Sequence, residues 1–239
     1  SDPKSIEGWL ANTSVRNIKR IIAHTTVEGA PLVGNPAAAL MQMVHFGGVV
    51  TAYTKFSAKA ITEGMKMCIA PNSEPMEFEV KNIGLGADHY DFAPASPEVR
   101  DSIRSRFGWT DRLVIMANGR NAGRKRHTTL MKAVKILSKN HPEVLLYLHC
   151  AMFEGFNLGG HNLRLESIKL DMLDRVVFPR THYEGNHGEG FDKLTEKYQA
   201  SDLFVNCSSA EGWGMPSTEA ARCGLPVFNT AYSGGWEVT

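Results

Sequence analysis

Continuous apolar runs alternating with helix-period segments set the strongest limit on how this chain can fold. Leu113-Val-Ile-Met-Ala117 and Val144-Leu-Leu-Tyr-Leu148 show no apolar–polar alternation, the pattern of strands covered on both faces, as in a parallel sheet. Between them, Thr128 to Lys139 sets Leu130, Val134 and Leu137 on one side, with Lys132, Lys135 and Lys139 largely off it. That spacing predicts an amphipathic helix ending before His141-Pro142. Arg175-Val-Val-Phe178 and Asp202-Leu-Phe-Val-Asn-Cys207 predict further strands, and Leu163 to Leu173 and Phe191 to Ala200 further helices. Strand and helix in strict alternation are the mark of an α/β domain with a parallel, doubly wound sheet.

The first half is less regular. Ile18-Lys-Arg-Ile-Ile-Ala23, Gly48-Val-Val-Thr-Ala52 and Val80 to Ile83 predict strands, and Phe56 to Glu63 a helix. Ala93-Pro-Ala-Ser-Pro97 has the prolines and small residues of a linker, and a helix over Pro97 to Phe107 begins the second half. Two domains are expected, residues 1–95 and 96–239.

Composition narrows the partners. The 239 residues are 43% hydrophobic and 21% charged with a net charge of +1, an ordinary globular balance that gives no reason to expect nucleic acid or an acidic membrane surface. Cys68, Cys150, Cys207 and Cys223 are scattered and read as free thiols in a reducing compartment rather than disulfides or zinc ligands. With no secretory apolar region and no apolar run near the ~18 residues of a membrane span, a cytoplasmic location is expected. Membrane association is left without support, because no basic amphipathic helix is evident.

The chemistry concentrates in Glu211-Gly-Trp-Gly-Met-Pro-Ser-Thr-Glu219. Pro216 suits a first helical turn, Glu219 falls on that turn or just past it, and Gly224-Leu-Pro226 supplies the stop. The unit reads as strand, glycine-rich loop, short helix. A helix N-terminus attracts anions and a pair of carboxylates suits sugar hydroxyls, so a nucleotide sugar is the ligand that wants both. A second loop, Asn118-Gly-Arg-Asn-Ala-Gly-Arg-Lys-Arg126, comes directly after the Leu113 strand. In open α/β sheets ligands bind at such strand ends, and the cations of this loop, Arg120, Arg124, Lys125 and Arg126, could neutralise an anionic group there. The loop is not a P-loop: three residues, not four, separate Gly119 from Gly123, and Arg124 intervenes before Lys125. Gly-x-Gly-x-x-Gly does not occur, which argues against a nicotinamide dehydrogenase. Asp-x-Asp is also missing, so no metal or other cofactor is expected. His161, His182 and His187 lie in glycine-rich loops without metal-ligand spacing.

Glu211-x7-Glu219 with its Gly-Trp-Gly interior, continuing through Cys223-Gly-Leu-Pro-Val227 to Gly234-Gly-Trp-Glu237, resembles the signature of retaining glycosyltransferases of family 4, which have the two-domain GT-B fold. Ile83-Gly-Leu-Gly-Ala-Asp88, Tyr90-Asp-Phe-Ala-Pro94 and Thr51 to Ser57 resemble the end of that family's N-terminal domain. The resemblance implies two Rossmann-like domains with parallel sheets. The N-terminal, acceptor-side one would be incomplete at its start and the C-terminal, donor-binding one truncated at its end. It implies that Arg120 and Lys125 hold the donor diphosphate, beside Gly119. Glu211 would contact the sugar with the Gly212, Trp213 and Gly214 backbone, and Glu219 the ribose. Arg180 would lie near the base, and His24 would be the N-domain histidine near the sugar, although Thr25 stands where the family commonly has Asp. The implied reaction is metal-independent transfer from a nucleoside diphosphate sugar to a hydroxyl acceptor (a glycan, lipid-linked sugar, protein or small molecule) with retention. A nucleotide-sugar epimerase, a phosphorylase and a non-catalytic nucleotide-sugar-binding module are the alternatives.

Overall fold

The computed structural model of the chain describes residues 21–70, 76–155, 159–179 and 190–238. Contacts divide it into two compact units. The first takes the described residues up to Leu85 together with Ala210–Gly214 and Ala231–Val238. The second takes the described residues of Gly86–Ser209 and Met215–Thr230.

In the second unit, helix α3 (Pro97–Phe107) shows how directly local sequence sets an element. The Ser96 hydroxyl accepts from the Val99 amide, Pro97 occupies the first turn, and Gly108 closes the helix at φ 70°, a conformation that glycine adopts without a Cβ clash. Strand β4 (Leu113–Asn118) then pairs along its whole length with β5 (Val144–His149), from Leu113↔Val144 to Asn118↔His149. Helix α4 (His127–Leu137) connects them. Helix α5 (Leu163–Lys169), strand β6 (Val176–Val177), helix α6 (Phe191–Ala200), strand β7 (Leu203–Asn206), helix α7 (Met215–Arg222) and strand β8 (Val227–Asn229) complete the unit. All pairings are parallel, in the order β6-β5-β4-β7-β8.

Both faces of this sheet are covered, which explains its unbroken apolar strands. Val114, Met116, Leu145 and Tyr147 face a core with Trp109, Tyr198 and Phe204. The alternate positions Ile115, Ala117, Leu146 and Leu148 face Leu130, Met131, Val134 and Leu163. The expected helix over Leu163 to Leu173 stops at Lys169, and just beyond it Asp171 takes a left-handed φ of 53°.

The first unit holds a parallel sheet β1-β2-β3, from β1 (Ile22–Thr25), β2 (Val49–Ala52) and β3 (Val80–Asn82). Helix α1 (Asn35–His45) joins the first two strands and α2 (Lys55–Lys66) the last two. Sequence reading did not predict α1, whose buried side includes two alanines, Ala37 and Ala39, beside Leu40 and Met43 and so stands out little in apolarity. Gly64 of α2 lets the Leu32 carbonyl approach, since a Cβ there would lie 1.7 Å from that oxygen. Among the described residues no helix is long and apolar enough to cross a membrane.

Candidate functional site

Strand β4 is central to the second unit's sheet. The chain passes from it to β5 on one side, while β7 lies against its other side. Such a reversal opens a crevice at the carboxyl ends of the two inner strands, where open α/β sheets take their ligands. The Gly119 to Arg126 loop leaves β4 at that end, and the segment leading to α7 leaves β7 beside it. The two are tied together: the Ser209 amide donates to the Arg124 carbonyl at 2.8 Å and the Ser209 hydroxyl at 3.3 Å.

Buried polar side chains shape the basic loop from beneath. Asn121 is fully buried and donates from Nδ2 to the carbonyls of Ala151 and His161, at 3.0 and 2.7 Å. The His127 ring, also buried, puts Nε2 3.3 Å from the carbonyls of both Gly119 and Arg120. Burial lowers its pKa below the ordinary histidine value, so it stays neutral and donates one ring N–H. These contacts fold the loop back on itself. Lys125 lies across Gly119, where a Cβ would meet Lys125 Cε at 3.1 Å and Nζ at 3.3 Å. Gly119 has φ 143°, so its lack of a side chain serves both the backbone and the lysine. The Arg120 guanidinium is not left to solvent alone: it forms an ion pair with Glu154, a partner that sequence reading missed.

On the β7 side, Glu219 is only 9% exposed. Tyr198 Oη donates to its Oε2 at 2.7 Å, and Asn118 Nδ2 donates to Tyr198 Oη at 2.8 Å. Burial pushes the Glu219 pKa up and the tyrosine hydrogen bond pulls it back. Ser208, the second residue past β7, has a buried hydroxyl with no hydrogen-bond partner among the described residues. Such a group costs about 1–3 kcal/mol unless a ligand or water meets it.

Glu211 belongs by its contacts to the first unit, as do Gly212, Trp213, Gly214 and His24. Its amide donates to Ser233 Oγ at 2.8 Å, and that hydroxyl returns a hydrogen bond to the Glu211 carbonyl at 3.0 Å. Thr26 Oγ1 donates to the Gly212 carbonyl at 2.9 Å. A Cβ at Gly212 would lie 2.5 Å from Thr26 Oγ1 and Cγ2, so glycine is required for this approach. Trp213 lies over Gly84, whose hypothetical Cβ would come within 2.9 Å of the indole, and Gly214 takes φ 99°. His24 Nδ1 is 2.8 Å from the Thr51 hydroxyl and its ring meets Tyr53 edge-on at 4.5 Å. Partial burial lowers its pKa. Arg180 lies outside the described residues, as do His182 and His187.

The structure thus brings Gly119, Arg120, Lys125 and Glu219 to the carboxyl ends of two adjacent strands, within one unit. Two cationic groups on one lip and a buried carboxylate on the other can meet a ligand that has an anionic part and a hydroxylated part. Among the described residues no group of three or more His, Cys, Asp or Glu could hold a metal ion. Asn118, Glu154, Tyr198 and Ser208 escaped sequence reading because nothing local separates them from ordinary core or loop residues.

Comparison with known proteins places these residues in a family. Residues 99–239 match the model for glycosyl transferases group 1. A GDP-mannose-dependent alpha-(1-6)-phosphatidylinositol monomannoside mannosyltransferase of Mycolicibacterium smegmatis is 29% identical, over 98% of this chain and 57% of its own length. Mannosylfructose-phosphate synthase of Agrobacterium fabrum is 29% identical over 70% of this chain and 38% of its own length. The chain thus spans little more than half of these curated relatives at most. Among solved structures, Anabaena HepE in complex with UDP superposes with a TM-score of 0.75 at 20% identity, over 99% of this chain and 60% of that one. The fold shared with such neighbours is GT-B.

Proposed function

Because the chain belongs to the glycosyl transferases group 1 family, we propose that it binds a nucleoside diphosphate sugar and transfers the sugar to a hydroxyl acceptor. The observation that carries the reading is the placement of Lys125, folded over Gly119 at the end of β4, beside the adjacent strand that leads to the Glu219 helix. Lys125 and Arg120 neutralise the charge that grows on the leaving diphosphate, which is where a preorganised cation lowers a barrier most. Arg120 reaches it by sharing Glu154, since its guanidinium is largely exposed although the Glu154 carboxylate is not. Glu219 accepts the ribose hydroxyls. Glu211, with the Gly212, Trp213 and Gly214 backbone, orients the sugar; the role assigned to Arg180 is contact with the base, and that of His24 contact with the sugar. Side-chain cations replace a metal ion, and attack on the face that the diphosphate leaves retains the anomeric configuration. The reaction belongs to the cytoplasm, and the acceptor is a glycan, lipid-linked sugar, protein or small molecule.

Relatives bear the names of GDP-mannose enzymes and a neighbour was solved with UDP, so the first test compares bases. Thermal unfolding with UDP, GDP and ADP, each with and without EDTA, should show one nucleotide stabilising the protein regardless of chelator. Lys125→Ala should unfold at the wild-type temperature while binding that nucleotide about tenfold or more weakly. Wild-type affinity in a folded Lys125→Ala protein rejects the diphosphate role. Release of nucleoside diphosphate only when acceptor is present separates transfer from epimerisation and phosphorolysis.

A further inference from the structure

Asn118, the last residue of β4, donates to Tyr198 Oη, and Tyr198 donates to Glu219 Oε2. With the Asn118 NH2 turned to the phenol, the direction of this line follows. An amide NH2 only donates, so the phenol oxygen accepts from Asn118 and passes its single proton to Glu219 Oε2, a hydrogen bond that favours the ionised carboxylate, the stronger acceptor, over the acid. A protonated Glu219 donating to the phenol would leave the tyrosine proton without a partner. The tyrosine is also the fixed point of the three. It is fully buried on α6, with Phe92 and Phe204 packed against its ring at centroid distances of 6.0 and 5.8 Å, and its two torsions leave the oxygen little room. Glu219 has an extra rotatable bond and sits where burial works against its charge.

We propose that Tyr198 and Asn118 are positioning residues for the nucleotide, holding Glu219 as a carboxylate in one rotamer so that it can receive the ribose hydroxyls. The proposal rests on the ribose role given to Glu219 above. A line of hydrogen bonds that served only the fold would stabilise the protein and leave nucleotide affinity and its pH dependence unchanged.

The test is calorimetric titration across pH with whichever of UDP, GDP and ADP binds, and with its 2′,3′-dideoxy analogue. Wild-type protein should lose about tenfold in affinity when the ribose hydroxyls are removed. Tyr198→Phe keeps the ring and should fold, bind the natural nucleotide about tenfold more weakly, and lose little more with the dideoxy analogue. Binding needs the ionised carboxylate, so affinity falls as pH drops through the Glu219 pKa. Without the phenol hydrogen bond that favours the carboxylate, this acid limb should move to higher pH. Wild-type affinity and an unmoved acid limb in Tyr198→Phe overturn the positioning role while the ribose role stands. A Glu219→Gln protein that still discriminates against the dideoxy analogue as wild type does overturns the ribose role, and this proposal with it; so does failure of all three nucleotides to bind. Should Tyr198→Phe not fold, Asn118→Ala at its half-buried position carries the same test, with a loss of about threefold expected.

Discussion

Arg126 holds a left-handed backbone, φ 51°, directly between Lys125 and helix α4. For a residue with a Cβ that conformation costs about 1–2 kcal/mol. It persists because the loop on one side is pinned by Asn121 and the helix on the other by the buried His127. Arg126 makes no side-chain cap for α4, so its side chain repays none of that strain at the helix start. Glycine there would relieve the strain and give back about 0.5–1 kcal/mol through the greater freedom of the unfolded chain. Arg126→Gly is therefore expected to stabilise by about 0.5–1 kcal/mol, measurable as a higher midpoint in urea; a lower midpoint would mean that the side chain contributes more than the geometry indicates. The basic character of this loop was plain in the sequence, but its bend was not. Arg126 and Arg124 look alike in the chain, and only one of them has a positive φ.

At the scale of elements, α3 and α6 are fastened to the sheet through Asp202. Arg104 is buried and donates to the Ala200 carbonyl at 2.7 Å, to the Arg112 carbonyl and to Asp202 at 3.1 Å, while Arg100 takes the other carboxylate oxygen. Asp202 also accepts from the Val114 amide at 2.7 Å, which brings the start of β7 level with β4. Arg104→Ala should cost about 2–3 kcal/mol in urea unfolding, because buried carbonyls lose their donor even though Arg100 still pairs with Asp202. Arg106 two residues on forms an exposed pair with Glu196 at 2.7 Å, and Arg106→Ala should change stability by less than about 1 kcal/mol. Equal effects of the two substitutions would show that burial does not decide the matter. Helices α3 and α6 and strands β4 and β5 were legible from caps and periodicity, since both are local properties. The different weights of Arg104 and Arg106 were not, because α3 reads as polar almost throughout.

For the whole molecule, a ligand that binds only the folded state stabilises it with the logarithm of one plus its concentration over its dissociation constant. A nucleoside diphosphate at a hundredfold excess over its dissociation constant should add about 2.7 kcal/mol to the unfolding free energy. Hydrogen exchange should locate the gain in the Gly119 to Arg126 loop and the start of α7; protection confined to the first unit's sheet would reject the proposed site. By itself the sequence determined the helices of the second unit and all its strands but β8, their parallel arrangement and the two segments that carry its chemistry, since each stems from periodicity, capping or the identity of charged side chains over a short span. Tertiary structure alone decided that β4 sits between β5 and β7 and so opens a crevice there. It also decided that Ala210–Gly214 and Ala231–Val238 group with the first unit, and that Glu219 answers to Tyr198 and Arg120 to Glu154. These pairings join residues 21 and 34 positions apart, and a hydrogen bond forms between whatever folding brings within reach, for which no local pattern in the chain leaves a mark.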